Sequence, residues 1–301
     1  MADSVTGVAV DGSSIDGIVL VDKPEGPTSH DVVARARRIY GTRKVGHAGT
    51  LDPMATGMLV LGLGKATRLL GYLTAHEKEY VATIRLGVST ETDDAQGDVT
   101  ATTSTQGIAD DKILEVVRDF RGHIMQKPSA VSAIKVQGKR AYARVRDGEE
   151  VDIPAREVMI HDLEIISIEH LADVIDMKVR VVCSAGTYIR ALARDIGAQL
   201  GVGGHLTSLR RTRSGQFTKM VGLEALEKSP TLVSLPDAVR MAFPCVVITD
   251  DEAVRARHGM RIPAPVDAHS GVNGVFTADG QVISLADNSD SELVPVVVFA
   301  T

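Results

Sequence analysis

The sequence predicts an α+β fold with a largely antiparallel sheet and a small β-rich unit towards its C-terminal end. Three observations carry this. Glu79 to Val88, Val158 to Ile168 and Val174 to Cys183 are extended segments, the last two separated only by a polar turn, which favours antiparallel pairing. Helical periodicity falls between the strands: after Ser29, from Asp110 to Phe120, and from Tyr188 to Leu200, which stops at Gly201. Beyond a turn-rich connection at Glu227 to Pro236, a unit of about 60 residues holds four short strand candidates, Val246 to Ile248, Gly274 to Phe276, Val282 to Leu285 and Val294 to Phe299.

Taken in order, Gly17 to Val21 is a short apolar run ending at Asp22-Lys23-Pro24. The turn at Glu25-Gly26-Pro27 leads to Ser29 as helix N-cap. Val32, Val33, Ala36, Ile39 and Tyr40 form the helix's apolar stripe, leaving Arg35, Arg37 and Arg38 pointing away from it. Val45 to Gly57 is rich in Gly and small residues and reads as an ordered loop without regular structure. Met58 to Leu63 reads as a buried strand and Lys65 to Thr74 as a helix. Ser89 to Asp98 reads as a solvated polar turn, and Ile113, Leu114, Val117 and Phe120 as one face of the following helix.

With 301 residues, 44% hydrophobic, 24% charged and 3% aromatic with no Trp, the chain can bury a large aliphatic core. No apolar run reaches the roughly 18 to 20 residues needed to span a bilayer, and Met1 to Asp16 lacks the basic start and apolar stretch of a signal peptide. The expected location is the cytoplasm. Cys183 and Cys245 are the only cysteines, read as two buried thiols, too few for a disulfide framework or a structural zinc site. The net charge of −6 is unevenly spread. Lys23 to Arg68 and Arg190 to Lys219 carry +5 each, +10 together, so the remainder carries −16. Either basic cluster can be a solvated face or a polyanion contact.

Several chemistries lose their signatures. Gly64-Lys65 is followed by Ala66 where a P-loop needs Ser or Thr, and Asp93-Asp94-Ala95-Gln96-Gly97-Asp98 does not fall in EF-hand register. No HExxH or GxSxG is present.

What remains is Gly46-His47-Ala48-Gly49-Thr50-Leu51-Asp52-Pro53-Met54-Ala55-Thr56-Gly57, where glycines permit close backbone approach to a ligand and Pro53 restrains the backbone of Asp52. Gly186-Thr187-Tyr188-Ile189-Arg190 opens a helix directly after a strand, placing Arg190 near a strand end. By themselves these residues leave two readings open, a presented carboxylate or an aspartate that only turns its loop.

The series of blocks resembles, in order, the TruB family of tRNA pseudouridine-55 synthases. The likeness runs from Gly17 to Phe217: Asp22-Lys23-Pro24 with Thr28-Ser29, the Gly46 to Gly57 loop, Lys78 to Tyr80, Ser129 to Gly138 with Tyr142, Gly186 to Arg190, and Gly203-Gly204-His205 with Leu209-Arg210-Arg211. One departure is Val131, which stands where many relatives have an aromatic before Ser132-Ala133-Ile134-Lys135. The resemblance implies the pseudouridine synthase fold with a mixed, largely antiparallel sheet. It implies a catalytic domain over residues 17–235 after a flexible stretch 1–16, and a small PUA-like RNA-binding domain over 236–301.

The resemblance further implies that Asp52 is the catalytic carboxylate, that Tyr80 lies against the target base, and that Arg190 pairs with Asp52. Lys23 would help build the cleft, and Tyr188 and Leu209 would line the pocket. His47 would contact the displaced RNA loop. The basic clusters, with Arg43, Lys44, Lys65, Arg68, Arg210 and Arg211, would meet phosphates. The substrate would be the T-arm of tRNA, acted on by a monomer without an obligatory protein partner, a cofactor or a metal. Isomerising uridine breaks the N1 to C1′ bond, turns the base and rejoins it through C5 with no redox change, so one ionised, desolvated carboxylate suffices as nucleophile or general base. The base must be flipped out first, at a cost of a few kcal/mol, and stacked on something flat.

Overall fold

The structure is a computed structural model describing residues 15–129 and 153–299, with the backbone of strand residues 8–9, 135–136 and 139–140. The chain forms two compact units. The first comprises residues 1–52, 58–74 and 215–301; the second comprises 53–57 and 75–214.

The first unit opens with β1 (Val8–Ala9) and β2 (Gly17–Lys23), then α1 (Ser29–Ile39). The N-cap of α1 is Thr28, one residue before the expected Ser29. Thr28 and Asp31 form a reciprocal capping box, which the sequence Thr-Ser-His-Asp supplies only from position 28, three residues before Asp31. The expected loop from Val45 is partly regular: β3 (Val45–Ala48) runs antiparallel to β4 (Thr56–Leu63), with Val45 opposite Leu63 and Ala48 opposite Val60. Residues 64–74 are helical as expected, in two pieces, a 3-10 turn Gly64–Leu69 and α2 (Leu70–Thr74).

In the second unit β5 (Lys78–Leu86) alternates strictly, with Lys78, Tyr80, Ala82, Ile84 and Leu86 buried and the residues between them half-buried. After the hairpin β6 (Val88–Thr90) and β7 (Val99–Thr102) come α3 (Asp110–Asp119), β8 (Gly122–Gln126), and the paired backbones of β9 (Lys135–Val136) and β10 (Lys139–Arg140). Next are β11 (Arg156–His170), β12 (Ile175–Cys183), α4 (Ile189–Gln199) and β13 (Gly204–Ser214). The sheet order is β13-β5-β12-β11-β8, all antiparallel, as the local joining of long strands predicts. The first two residues of β4 pair in parallel with β13, Thr56 opposite Arg210 and Gly57 opposite Arg211, which makes the sheet mixed. One face is apolar, with Ala82, Ile84, Met177 and Val179, and α4 contributes Leu192 and Ile196 to the same core. The opposite face is polar. There Arg180 holds Glu79, Asp162 and Glu164 at 3.3, 2.5 and 3.0 Å.

The first unit resumes with β14 (Val221–Gly222), α5 (Leu223–Lys228), β15 (Thr231–Ser234) and α6 (Leu235–Ala242). β15 pairs antiparallel with β2, Ile18 opposite Val233, and β14 pairs in parallel with β2, Val21 opposite Val221. The C-terminal β-rich part follows: β16 (Cys245–Ile248), α7 (Asp250–Arg257), β17 (Ile262–Pro263), β18 (Gly271–Thr277), β19 (Val282–Ser289) and β20 (Glu292–Val298), in the order β16-β18-β19-β20-β17. Phe276, Leu285 and Phe299 share a core with Ile18, Met58 and Leu235. Among the described residues no helix is long and apolar enough to cross a membrane.

Candidate active site

In the first unit, Asp52 lies in the short loop between β3 and β4, half-buried. Gly49 turns that loop with φ +84°, a left-handed conformation that favours glycine. The residue before Asp52, Leu51, is buried and held through both its backbone groups by the Ser29 hydroxyl. Lys23 ends β2 wholly buried, its Nζ donating to the Pro24 carbonyl at 2.9 Å. Burial pulls its ammonium down to about 8, against the opposing pull of the Asp52 carboxylate and, behind it, Glu25. Lys23 and Asp52 are thus within electrostatic reach of each other.

His47, on β3, is half-buried and meets the ring of His30 edge-on, centroids 5.5 Å apart. Arg43, Lys44 and Arg68 are exposed and Lys65 half-buried. The Lys65 N–H donates to Asp16 at 2.6 Å, and the Arg68 guanidinium donates to the Val298 carbonyl.

In the second unit, register brings the expected residues to one face. Tyr80 lies opposite Arg211 on β13 and opposite Val181 on β12, and Leu209 lies opposite Ala82. Tyr80 and Leu209 are 8% and 7% exposed. Of the neighbouring arginines Arg210 is exposed, while Arg211 is 1% exposed and close enough to Lys78 to help burial lower that ammonium to about 8. Tyr188 is half-buried under the Arg156 guanidinium, 4.9 Å above its ring. Cys183 is buried, its thiol pushed up to about 11 by that burial; Cys245, expected to be buried too, is exposed on the edge strand β16.

Arg190 sits in the first turn of α4, with its side chain 5% exposed. It forms an ion pair with Asp94 at 3.3 Å and donates to the Thr92 carbonyl at 2.8 Å. One helical turn on, Arg194 reaches Asp93 at 3.1 Å. The acidic turn expected to be solvated is therefore a buried docking point. Asp93 and Asp94 are 8% and 4% exposed, and Asp94 also accepts from the Thr92 hydroxyl at 2.6 Å and the Gln96 N–H at 3.0 Å. The acidic run signalled solvent only because its two cationic partners lie about 100 residues downstream, beyond any local pattern.

Gln126, wholly buried, grips Tyr188 in a similar way: its amide donates to the Tyr188 carbonyl at 3.0 Å and accepts from the Tyr188 N–H at 2.8 Å. No motif marks it. Val131, Ser132, Ala133, Ile134, Gly138 and Tyr142 lie outside the described residues. Among the described residues no cluster of three or more His, Cys, Asp or Glu is placed to hold a metal ion.

Comparison with known proteins gives the family. Residues 37–189 match the model of the TruB family pseudouridylate synthase N-terminal domain. Residues 190–235 match the tRNA pseudouridylate synthase B C-terminal domain, and 243–300 that of tRNA pseudouridine synthase II. A protein of Thermobifida fusca named tRNA pseudouridine synthase B is 52% identical over 291 residues, covering 95% of this chain and 99% of the relative. A Mycobacterium protein of the same name is 53% identical over 289 residues, covering 94% and 96%. Among solved structures, a chain of an H/ACA ribonucleoprotein bound to a substrate RNA containing 2′-deoxyuridine superposes with TM-score 0.71 at 28% identity, over 95% of this chain and 85% of that one. A chain of a Cbf5-Nop10-Gar1 complex gives 0.70 at 30% identity, over 94% and 83%. The mixed sheet, the Gly46 to Gly57 loop and these matches along nearly the whole sequence lead to one conclusion: the chain belongs to the TruB family of pseudouridylate synthases.

Proposed function

We propose that this enzyme converts uridine-55 in the T-loop of tRNA to pseudouridine, with Asp52 as the reacting carboxylate. The observation that carries the reading is the loop itself, Gly46 to Gly57, with Asp52 beside the buried Lys23 in a chain half identical to proteins named tRNA pseudouridine synthase B. The target base is flipped out and stacked on Tyr80, and Tyr188 and Leu209 line the pocket. Asp52, kept ionised by Arg190, attacks the sugar or base or removes a proton from the sugar. The freed base turns and rejoins through C5, its C5 hydrogen leaving as a proton. No cofactor enters the reaction. His47 contacts the displaced RNA loop, and Arg43, Lys44, Lys65, Arg68 and Arg210 meet phosphates, giving a salt-dependent affinity. Residues 236–301 serve as a PUA-like RNA-binding module, and the chain works as a monomer in the cytoplasm.

The test is tritium release from an unmodified tRNA transcript carrying 5-tritiated uridine. The chain alone should release one equivalent per tRNA, and Asp52→Asn none while retaining its tRNA affinity. The relationship at 28 to 30% identity to chains from H/ACA and Cbf5 complexes supplies the second reading, an enzyme that needs protein partners. Stoichiometric release by the lone chain on bare transcript rules that out.

A further inference from the structure

Ser29 is wholly buried at the first residue of α1, and its hydroxyl spends both its donor and an acceptor position on a single residue 22 positions away. Its Oγ donates to the Leu51 carbonyl at 3.0 Å and accepts from the Leu51 N–H at 2.9 Å. Leu51 is 4% exposed, so without the hydroxyl both backbone groups would be left unpaired out of reach of water. We infer that Ser29 is a positioning residue for the isomerisation, clamping the peptide of Leu51 so that Asp52 projects in one direction. The inference rests on Asp52 being the reacting carboxylate.

The clamp is carried by a stiff support. The first turn of α1 is closed by the Thr28 and Asp31 capping box, and Val32, Val33 and Ala36 bury its inner face. The loop it restrains has little stiffness of its own, since Gly49 sits only two residues before Leu51. Misplacing a reacting group by about 1 Å costs on the order of a hundredfold in rate, so a tie one residue from the carboxylate acts on turnover more than on RNA affinity.

The experiment compares Ser29→Ala, Ser29→Cys and Asp52→Asn in the full chain. Single-turnover tritium release at saturating enzyme and tRNA affinity by filter binding are measured for each. Cys keeps a γ-atom in place of the hydroxyl oxygen, somewhat larger and only a weak donor and acceptor, so it decides the question if the Ala variant fails to fold. The expected result is a rate constant lowered about ten- to a hundredfold in Ser29→Ala and less in Ser29→Cys, with affinity within about twofold of the parent. A merely structural serine would lower the reaction amplitude, the fraction of competent enzyme, and leave the rate constant alone; that outcome overturns the inference, as does a parental rate in both variants. An active Asp52→Asn would instead sink the assignment of Asp52, a distinguishable failure.

Discussion

Arg190 is anchored by Asp94: guanidinium and carboxylate lie 3.3 Å apart with side chains 5% and 6% exposed, and Thr92 supplies a second, neutral acceptor. A guanidinium so held cannot rotate freely, and its position depends on the turn between β6 and β7.

Replacing Asp94 by Asn keeps an acceptor for Thr92 and Gln96 but removes the carboxylate 3.3 Å from the buried Arg190 guanidinium. Breaking one side of a buried pair costs about 3 to 5 kcal/mol, and the expected loss is near the lower figure because the Thr92 carbonyl remains. Urea unfolding measures it. Turnover should fall at least about tenfold if Arg190 serves the Asp52 carboxylate. Parental stability would mean that the Thr92 carbonyl and the other surroundings of the guanidinium compensate for the lost carboxylate.

The parts of this site that the sequence exposes and the parts it hides differ in range. Asp52, Tyr80 and Arg190 lie in compact motifs, and the alternation of β5 is visible residue by residue. Asp94 and Gln126 act through partners 96 and 62 positions away, Arg190 and Tyr188, and no periodicity within a strand or turn reports such a partner. β3 escaped for a related reason: four residues including Gly46 look like loop until Leu63 to Val60 are laid beside them. The Thr28 cap is the opposite case, legible in principle through Asp31 three residues on and obscured by an adjacent serine that caps equally well.

Lys23 gives the protein a pH signature. Its ammonium titrates near 8 when folded and near 10.5 when unfolded, so between those values the unfolded chain binds a proton that the folded chain does not. Folding stability attributable to Lys23 therefore rises with pH from about 8 and levels off above about 10.5. Lys78, also near 8, adds a second rise in the same window. Urea midpoints of the parent and Lys23→Met at pH 7, 8, 9 and 10 should show the parent gaining on the variant as pH increases. A constant difference across that range would show that Lys23 keeps its ordinary affinity for protons.

Gly57 cannot carry a side chain. Its φ is +93°, and a Cβ placed there would stand 2.2 Å from the carbonyl oxygen of Arg211, its partner on β13. Gly26 has a similar φ of +104° but open space around it. Gly26→Ala should cost about 1 kcal/mol, the strain alone, and Gly57→Ala well over 2 kcal/mol, measured by thermal melting. Equal costs would mean that β13 moves aside without penalty.

Cys183 and Cys245 should separate under alkylation. One equivalent of maleimide is expected to react with the native protein, at Cys245, and Cys245→Ser should abolish it. Cys183, buried and with its thiol pushed up to about 11, should react only after denaturation. Two equivalents in the native state would show that the end of β12 opens readily.

The interleaving of the two units along the chain governs the order in which a ribosome can complete them. Every strand paired with β5 lies before residue 215, so the second unit has all its parts once Ser214 has emerged, although Leu86 must wait about 90 residues for Ile175. The first unit has no such independence. β2 is synthesised almost at the outset and meets β15 only after residue 231, with Phe276 and Phe299 arriving later still to close its core. At elongation rates of about 5 to 20 residues per second, β4 can cover one edge of β2 early while the edge that meets β15 stays open for ten seconds or more, making that edge of the nascent N-terminal segment the stretch for which early shielding by a chaperone matters most.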